Sequence, residues 1–121
     1  MDTRTKKPRK VDKPWGYELI FAHTEKYAGK VLFVRKGERL SLQYHKSKDE
    51  SIYVYKGRVL IQLGGADGQM LSKILSTGDC VRIKPLTHHR IEAIINSFLF
   101  EVSTPELKDV CRLKDDYGRA H

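Results

Sequence analysis

From Trp15 to Val102 the chain is written in short β-branched and apolar runs, each closed by a glycine or a polar break, and helical periodicity is nearly absent. VLFVRK (31–36) is one such run. In RLSLQYH (39–45), Leu40, Leu42 and Tyr44 alternate with Ser41, Gln43 and His45, so the two sets face opposite sides of a strand. ESIYVYKGRVLIQL (50–63) places two runs around Lys56-Gly57, the pattern of a hairpin. Gly64-Gly65 and Asp67-Gly68 mark a turn within 63–70, and Thr77-Gly78-Asp79 a second break before two short strands around Pro85. NSFLFEV (96–102) closes the series, with Phe98, Phe100 and Val102 expected in the core and Glu101 outside it. Only PELKDVCRL (105–113) suits a turn or short helix, Pro105 standing at its start. Short strands at such regular spacing predict an all-β sandwich or barrel.

At 121 residues there is room for one domain, large enough to bury a core without disulfides. No apolar run approaches the ~20 residues of a membrane span, and the N-terminus has no apolar stretch of a secretory signal, so a cytoplasmic protein is expected. Cys80 and Cys111 lack C-x-x-C spacing and are expected to be reduced and at least partly buried. The net charge is +8; residues 1–13 hold six basic and two acidic side chains, half of that excess. Residues 1–12 read as a solvated, disordered basic tail and 13–121 as the folded domain. No helix-turn-helix, zinc-finger or aromatic RNA-binding pattern accompanies KKPRK, so nucleic acid is not the expected partner. A positive body suits an anionic small molecule such as a sugar phosphate.

The residues with chemistry fall at fixed intervals. Five residues separate Gly37 from Gln43, one separates Gln43 from His45, four separate His45 from Glu50, and six separate Glu50 from Gly57. Gln43 and His45 share a strand face. The polar stretch 46–49 can turn the chain back, bringing Glu50 opposite them across neighbouring strands. His89 follows eleven residues after Gly78. One Gln, two His and one Glu form an N/O ligand set for one divalent ion: zinc first, with manganese, iron, cobalt or nickel also suited. His88 points to the opposite face from His89 and is read as a surface residue.

These spacings resemble the two motifs of the cupin superfamily, G-x5-H-x-H-x4-E-x6-G and G-x5-P-x-G-x2-H. Within it the chain is most similar to mannose-6-phosphate isomerases and to the C-terminal domain of mannose-1-phosphate guanylyltransferases. LSLQYH (40–45) carries Gln where other cupins have His, KPWGYE (13–18) resembles an R-P-W-G opening, IKPLTHHRIEA (83–93) an I-P-x-G-x-x-H-R-I segment, and KDDYGR (114–119) a D-x-Y-G-R ending. Two features depart from the pattern. Lys84-Pro85-Leu86 puts Leu86 where Gly is common, and the chain is much shorter than those enzymes.

The resemblance implies a jelly-roll barrel over residues 15–103 and metal-assisted aldose–ketose isomerisation of a phosphorylated sugar. It points to Lys48 as the catalytic proton carrier and to Ser41 as a contact for sugar or phosphate. Arg90, with Arg39, Lys84 and Arg112, is a candidate phosphate ligand. Two other readings stay open: a cupin that binds a sugar or another small molecule without turnover, and an Fe(II) dioxygenase using two His and one carboxylate. A barrel with an exposed N-terminal strand has an unpaired edge, which predicts a homodimer through strands within 15–35.

Overall fold

The computed structural model describes residues 1–119, and all its regular structure is β-strand. In chain order the strands are β1 (Arg9–Lys13), β2 (Gly16–His23), β3 (Ala28–Val34), β4 (Leu42–Tyr44), β5 (Glu50–Lys56) and β6 (Arg58–Gly64). They continue with β7 (Met70–Ser76), β8 (Cys80–Ile83), β9 (His88–Ala93), β10 (Ser97–Ser103) and β11 (Cys111–Lys114). One sheet has the order β1-β2-β3-β10-β5-β8 and the other β11-β4-β9-β6-β7. Every pairing is antiparallel. The chain passes repeatedly from one sheet to the other, as a jelly roll requires.

Two neighbouring runs read as a hairpin, β5 and β6, do not pair; they belong to opposite sheets. Gly57 makes the crossing with φ +131°, and a Cβ there would lie 2.3 Å from Ser97 Oγ. The glycine serves close approach between layers, a use the dipeptide Lys56-Gly57 shares with a tight turn. Strand β1 also starts at Arg9, so the chain enters the sheet four residues before the expected boundary at 13. Residues 1–8 are exposed and outside the sheet, and residues 120–121 of the expected domain lie outside the described residues. The 105–113 run forms a turn followed by β11 in place of a helix.

The inner faces of the sheets divide along the barrel axis. At one end Trp15, Leu32, Val34, Ile52, Val54, Val59, Ile61, Ile91, Ala93 and Leu99 form the apolar core. At the other, the same strands turn Lys30, Glu50, His89 and Glu101 inward, all buried. Along β10 this makes Ser97, Leu99, Glu101 and Ser103 the inner residues. The expected parity is therefore reversed: Phe98, Phe100 and Val102 face outward. They can do so because the outer face of this sheet is itself apolar. Tyr17, Phe33 and Phe98 pack in tilted contacts across β2, β3 and β10, and Phe100 stacks on Tyr53 and Tyr55 of β5. Cys80 is exposed, against expectation, and both cysteines are free thiols.

Candidate metal centre

Glu50 reaches into the polar end of the barrel from β5, and His45 and His89 meet it from the opposite sheet. His45 follows the last residue of β4; Gln43 on β4 is the register partner of His89 on β9. Glu50 thus faces these residues across the barrel interior, where neighbouring strands of one sheet were expected. The three groups are buried and offer ligand atoms within 4.8 Å of one another.

The ring orientations are fixed from behind. His45 Nδ1 is bonded to the Asp109 carbonyl, and His89 Nδ1 lies 2.9 Å from the Thr87 carbonyl. A carbonyl can only accept, so each Nδ1 carries the hydrogen and each Nε2 is left with its lone pair turned inward. Those two nitrogens lie 3.4 Å and 3.2 Å from the same oxygen, Glu50 Oε1. Three acceptors aimed at one point repel unless a cation stands between them. Ligands ~2.1 Å from a tetrahedral ion are separated by about 3.4 Å, close to both spacings. The other oxygen, Glu50 Oε2, is buried and faces the Lys48 ammonium 3.0 Å away. Lone-pair direction and spacing both fit a divalent ion held by His45, Glu50 and His89. Gln43 lines the same cavity.

Lys48 lies beside this set, 3.0 Å from both Glu50 Oε2 and Glu101 Oε2. Burial alone would push its ammonium down, but the charges of Glu101 and Glu50 outweigh it and hold Lys48 above its ordinary range. Glu101, fully enclosed, is pushed up by burial and by the neighbouring Glu50 charge. Burial also raises Glu50, yet the Lys48 ammonium beside it pulls the other way and leaves its carboxyl below the usual range.

The loop carrying His45 to Glu50 is held by Asp109, a residue that no motif singles out. Its carboxylate accepts the backbone N–H groups of Lys46, Ser47 and Lys48 at 3.0, 2.7 and 3.0 Å. Three N–H groups converging on one carboxylate tie 46–48 to the segment before β11, and the same residue's carbonyl orients His45. The only sequence hint was an acid inside the ambiguous 105–113 run.

The cavity measures about 120 Å³ and is also lined by Ser41, Lys13, Lys30, Arg112 and Arg119. Lys30 pairs with Glu18 at 3.2 Å and Arg119 with Asp115 at 2.9 Å. Lys13 is half-buried and its ammonium is pushed down, by burial first and by Lys30, Arg112 and Arg119, against the pull of Glu18. These cations are close enough to repel one another. Of the basic residues read from the sequence as phosphate ligands, only Arg112 lines this cavity. Arg90 is buried on the outer side of β9, where it donates to the Leu40 carbonyl at 2.8 Å and to Asp116 at 2.9 Å. Arg39 binds the same Asp116. Lys84 is exposed. His88 stacks on Tyr44, away from the ligand set.

The turn before His89 is formed with Leu86 in the left-handed region, φ 69°, its N–H donating to the His45 carbonyl at 2.7 Å. The two ligand-bearing segments are thereby joined at their backbones.

The family described as mannose-6-phosphate isomerase C-terminal matches residues 1–115. Mannose-1-phosphate guanylyltransferase ManC of Salmonella typhimurium strain LT2 is 34% identical over an alignment 117 positions long that covers 92% of this chain and 23% of that protein. The chain thus spans about a quarter of the length of that relative. Among solved structures, KdgF from Halomonas sp. aligns with a TM-score of 0.70 at 23% identity, over 80% of this chain and 86% of that one. An RmlC-like cupin from Shewanella frigidimarina gives 0.71 at 17% identity, over 84% and 87%. At such identities the likeness is one of fold, that of a cupin.

Proposed function

Because the chain belongs to the mannose-6-phosphate isomerase C-terminal family, we propose that it binds a phosphorylated sugar at a divalent metal centre and interconverts its aldose and ketose forms. One observation carries this reading: an acceptor triad fit for a cation and a group of cations fit for an anion line a single cavity. A ligand bearing both hydroxyl or carbonyl oxygens and a phosphate satisfies both ends at once.

His45, Glu50 and His89 would hold the ion, with Gln43 beside them. The bound ion supplies a Lewis acid for the sugar's C1 and C2 oxygens. Lys13 and Arg112 bind the phosphate, since their side chains have no carboxylate partner among the described residues. Ser41 lines the cavity and offers its hydroxyl to the sugar. Lys48 and Glu101 are the pair positioned to hold a proton and hand it on, being in hydrogen-bond contact with each other inside the cavity.

The test is to incubate mannose 6-phosphate with zinc- or manganese-loaded protein in deuterated water and to follow exchange at C1 and C2. Exchange, or fructose 6-phosphate, above a His45→Ala control is the expected result. Absence of both across common hexose and pentose phosphates overturns the isomerase reading. A second reading is favoured by Lys48, whose ammonium is held between two carboxylates and kept charged: a cupin that binds the phosphosugar without turning it over. It predicts binding that Lys13→Ala and Arg112→Ala each weaken, with no exchange.

A further inference from the structure

The free edge of the six-stranded sheet is β1, where a strand within 15–35 was expected: β2 and β3 lie inside the sheet, and β1 covers β2. The added strand builds a second cavity. Arg9 and Val11 of β1 pair with Ile20 and Glu18 of β2, and Ile20 pairs with Lys30 of β3. These residues line a space of about 500 Å³ whose other wall is the segment 105–109. Among the described residues, none from the five-stranded sheet lines it. His23 Nε2 donates to the Pro105 carbonyl at 3.0 Å and ties the end of β2 to that segment. Lys13, Glu18, Lys30 and Leu107 line this space and the metal cavity alike, so the two adjoin along one wall.

The metal cavity is small for a ligand site. It measures about 120 Å³, whereas small-molecule sites usually measure about 300–1,000 Å³. The second cavity falls within that range. A ligand held at the metal therefore has room to continue across the shared wall.

We propose that the ligand is a reducing disaccharide phosphate, with its reducing hexose at the metal centre and a second sugar unit, linked through O4, in the cavity between β1–β2 and 105–109. This rests on the phosphosugar reading and extends it.

The shape of a hexose gives the direction. C1 and C2 stand at one end of the sugar, and C4 and C6 at the other. With C1 and C2 turned to His45, Glu50 and His89, a phosphate on C6 is directed to Lys13 on the shared wall. A substituent on O4 leaves by that same wall. The lining then favours a sugar as the substituent. Val11, Ile20 and Leu107 offer apolar surface to the C–H face of a pyranose. Arg9 and Lys108 are donors for its hydroxyls and Glu106 an acceptor; none of the three is held in an ion pair among the described residues. A second phosphate would meet Glu18 and Glu106 as well as the cations. A nucleobase would find no Phe, Tyr or Trp side chain to stack on among the described lining residues.

The test is calorimetric titration of the zinc-loaded full chain with mannose 6-phosphate and with 4-O-mannosyl-mannose 6-phosphate. Wild type is compared with Val11→Trp and Ile20→Trp, which fill the second cavity, and with Leu71→Trp, an exposed position on β7 in the other sheet. Wild type and Leu71→Trp should bind the disaccharide phosphate at least about 10-fold more tightly than the monosaccharide phosphate, the scale of two or three added hydrogen bonds. Val11→Trp and Ile20→Trp should lose that gain while keeping zinc content, circular dichroism and mannose 6-phosphate affinity. If Val11→Trp does not fold, Ile20→Trp alone decides. Equal affinity of wild type for the two sugars overturns the proposal, and so does a gain that the filled variants retain. A gain shown by a nucleoside diphosphate mannose, with none for the disaccharide phosphate, assigns the cavity to a nucleoside and overturns it as well. Should wild type bind no mannose 6-phosphate, the phosphosugar reading itself fails. Unphosphorylated 4-O-mannosyl-mannose against mannose then judges the second cavity separately: a preference that Ile20→Trp removes supports a second sugar unit there, and no preference overturns it.

Discussion

Two adjacent histidines show how much one position decides. His89 faces Glu50 inside the barrel, and His88, its neighbour, stacks on Tyr44 outside the ligand set. Substituting His45 by Ala removes one of the three grouped donors and should abolish zinc retention after gel filtration, measured by elemental analysis. His88→Ala should keep zinc near one per chain; loss of metal there would place the wrong histidine at the centre. Leu86 supplies a second residue-scale case. It holds φ 69° with 61% of its surface exposed, so its side chain gains little from packing while its backbone is strained. Relief of a left-handed conformation is worth about 1–2 kcal/mol, and the greater freedom of glycine in the unfolded chain offsets up to about 1 of that. Leu86→Gly should therefore stabilise the protein by about 0.5–1 kcal/mol in urea titrations, with an unchanged slope.

Among the elements, the segment from Pro105 through β11 does more than its length suggests. It brings Asp109 under the 46–48 loop and lays Arg112 beside Gln43 on β4. Asp109→Ala leaves three backbone N–H groups without their acceptor and frees the loop on which His45 and Glu50 are mounted. Since the carbonyl behind His45 belongs to the same residue, zinc affinity by competition with a chromophoric chelator should fall about 10–100-fold, the range typical for outer-shell support. Unaltered affinity would mean that β4 and β5 alone position the ligands. Strand β10 teaches the complementary point. Alternating apolar and polar residues normally place the apolar set inside, but β10 crosses the polar end of the barrel. There Glu101 answers Lys48, while on the outer face Phe100 stacks on Tyr53 and Tyr55 of β5.

At the scale of the molecule, the C-terminal residues close the structure over its front. Asp116 binds Arg39 and Arg90, and the Tyr117 hydroxyl donates to Glu38. Burial and this hydrogen bond push the Tyr117 phenol up to about 12. A raised folded-state value means that the neutral phenol's contribution is complete below about pH 10, the ordinary value, and is lost as pH rises through about 12. Unfolding free energies should thus decline faster for wild type than for Tyr117→Phe between pH 10 and 12, and equally below that window. Metal acts on the whole fold in the same way as any ligand of the native state. At a thousandfold excess over its dissociation constant it should add about 4 kcal/mol and raise the melting temperature, and a chelator should reverse the gain.

Strand positions, the single β domain and the grouping of His45, Glu50 and His89 were legible because each depends on local rules. Alternation fixes a strand face, glycines mark breaks, and the Gln43-x-His45-x4-Glu50 spacing lies within one stretch of chain. Which way β10 faces, that β5 and β6 part to opposite sheets, and that β1 begins at Arg9 depend on what lies across the barrel, which no local pattern encodes. The cations around the cavity illustrate the same division. Arg90 and Arg112 look alike as isolated basic residues, and both were candidates for phosphate. Only the fold sends Arg90 outward to Asp116 and brings Arg112, Lys13 and Arg119, drawn from the two ends of the chain, to one opening. Residue type and spacing determined the chemistry the chain can hold; the packing of distant segments decided which side chains share it.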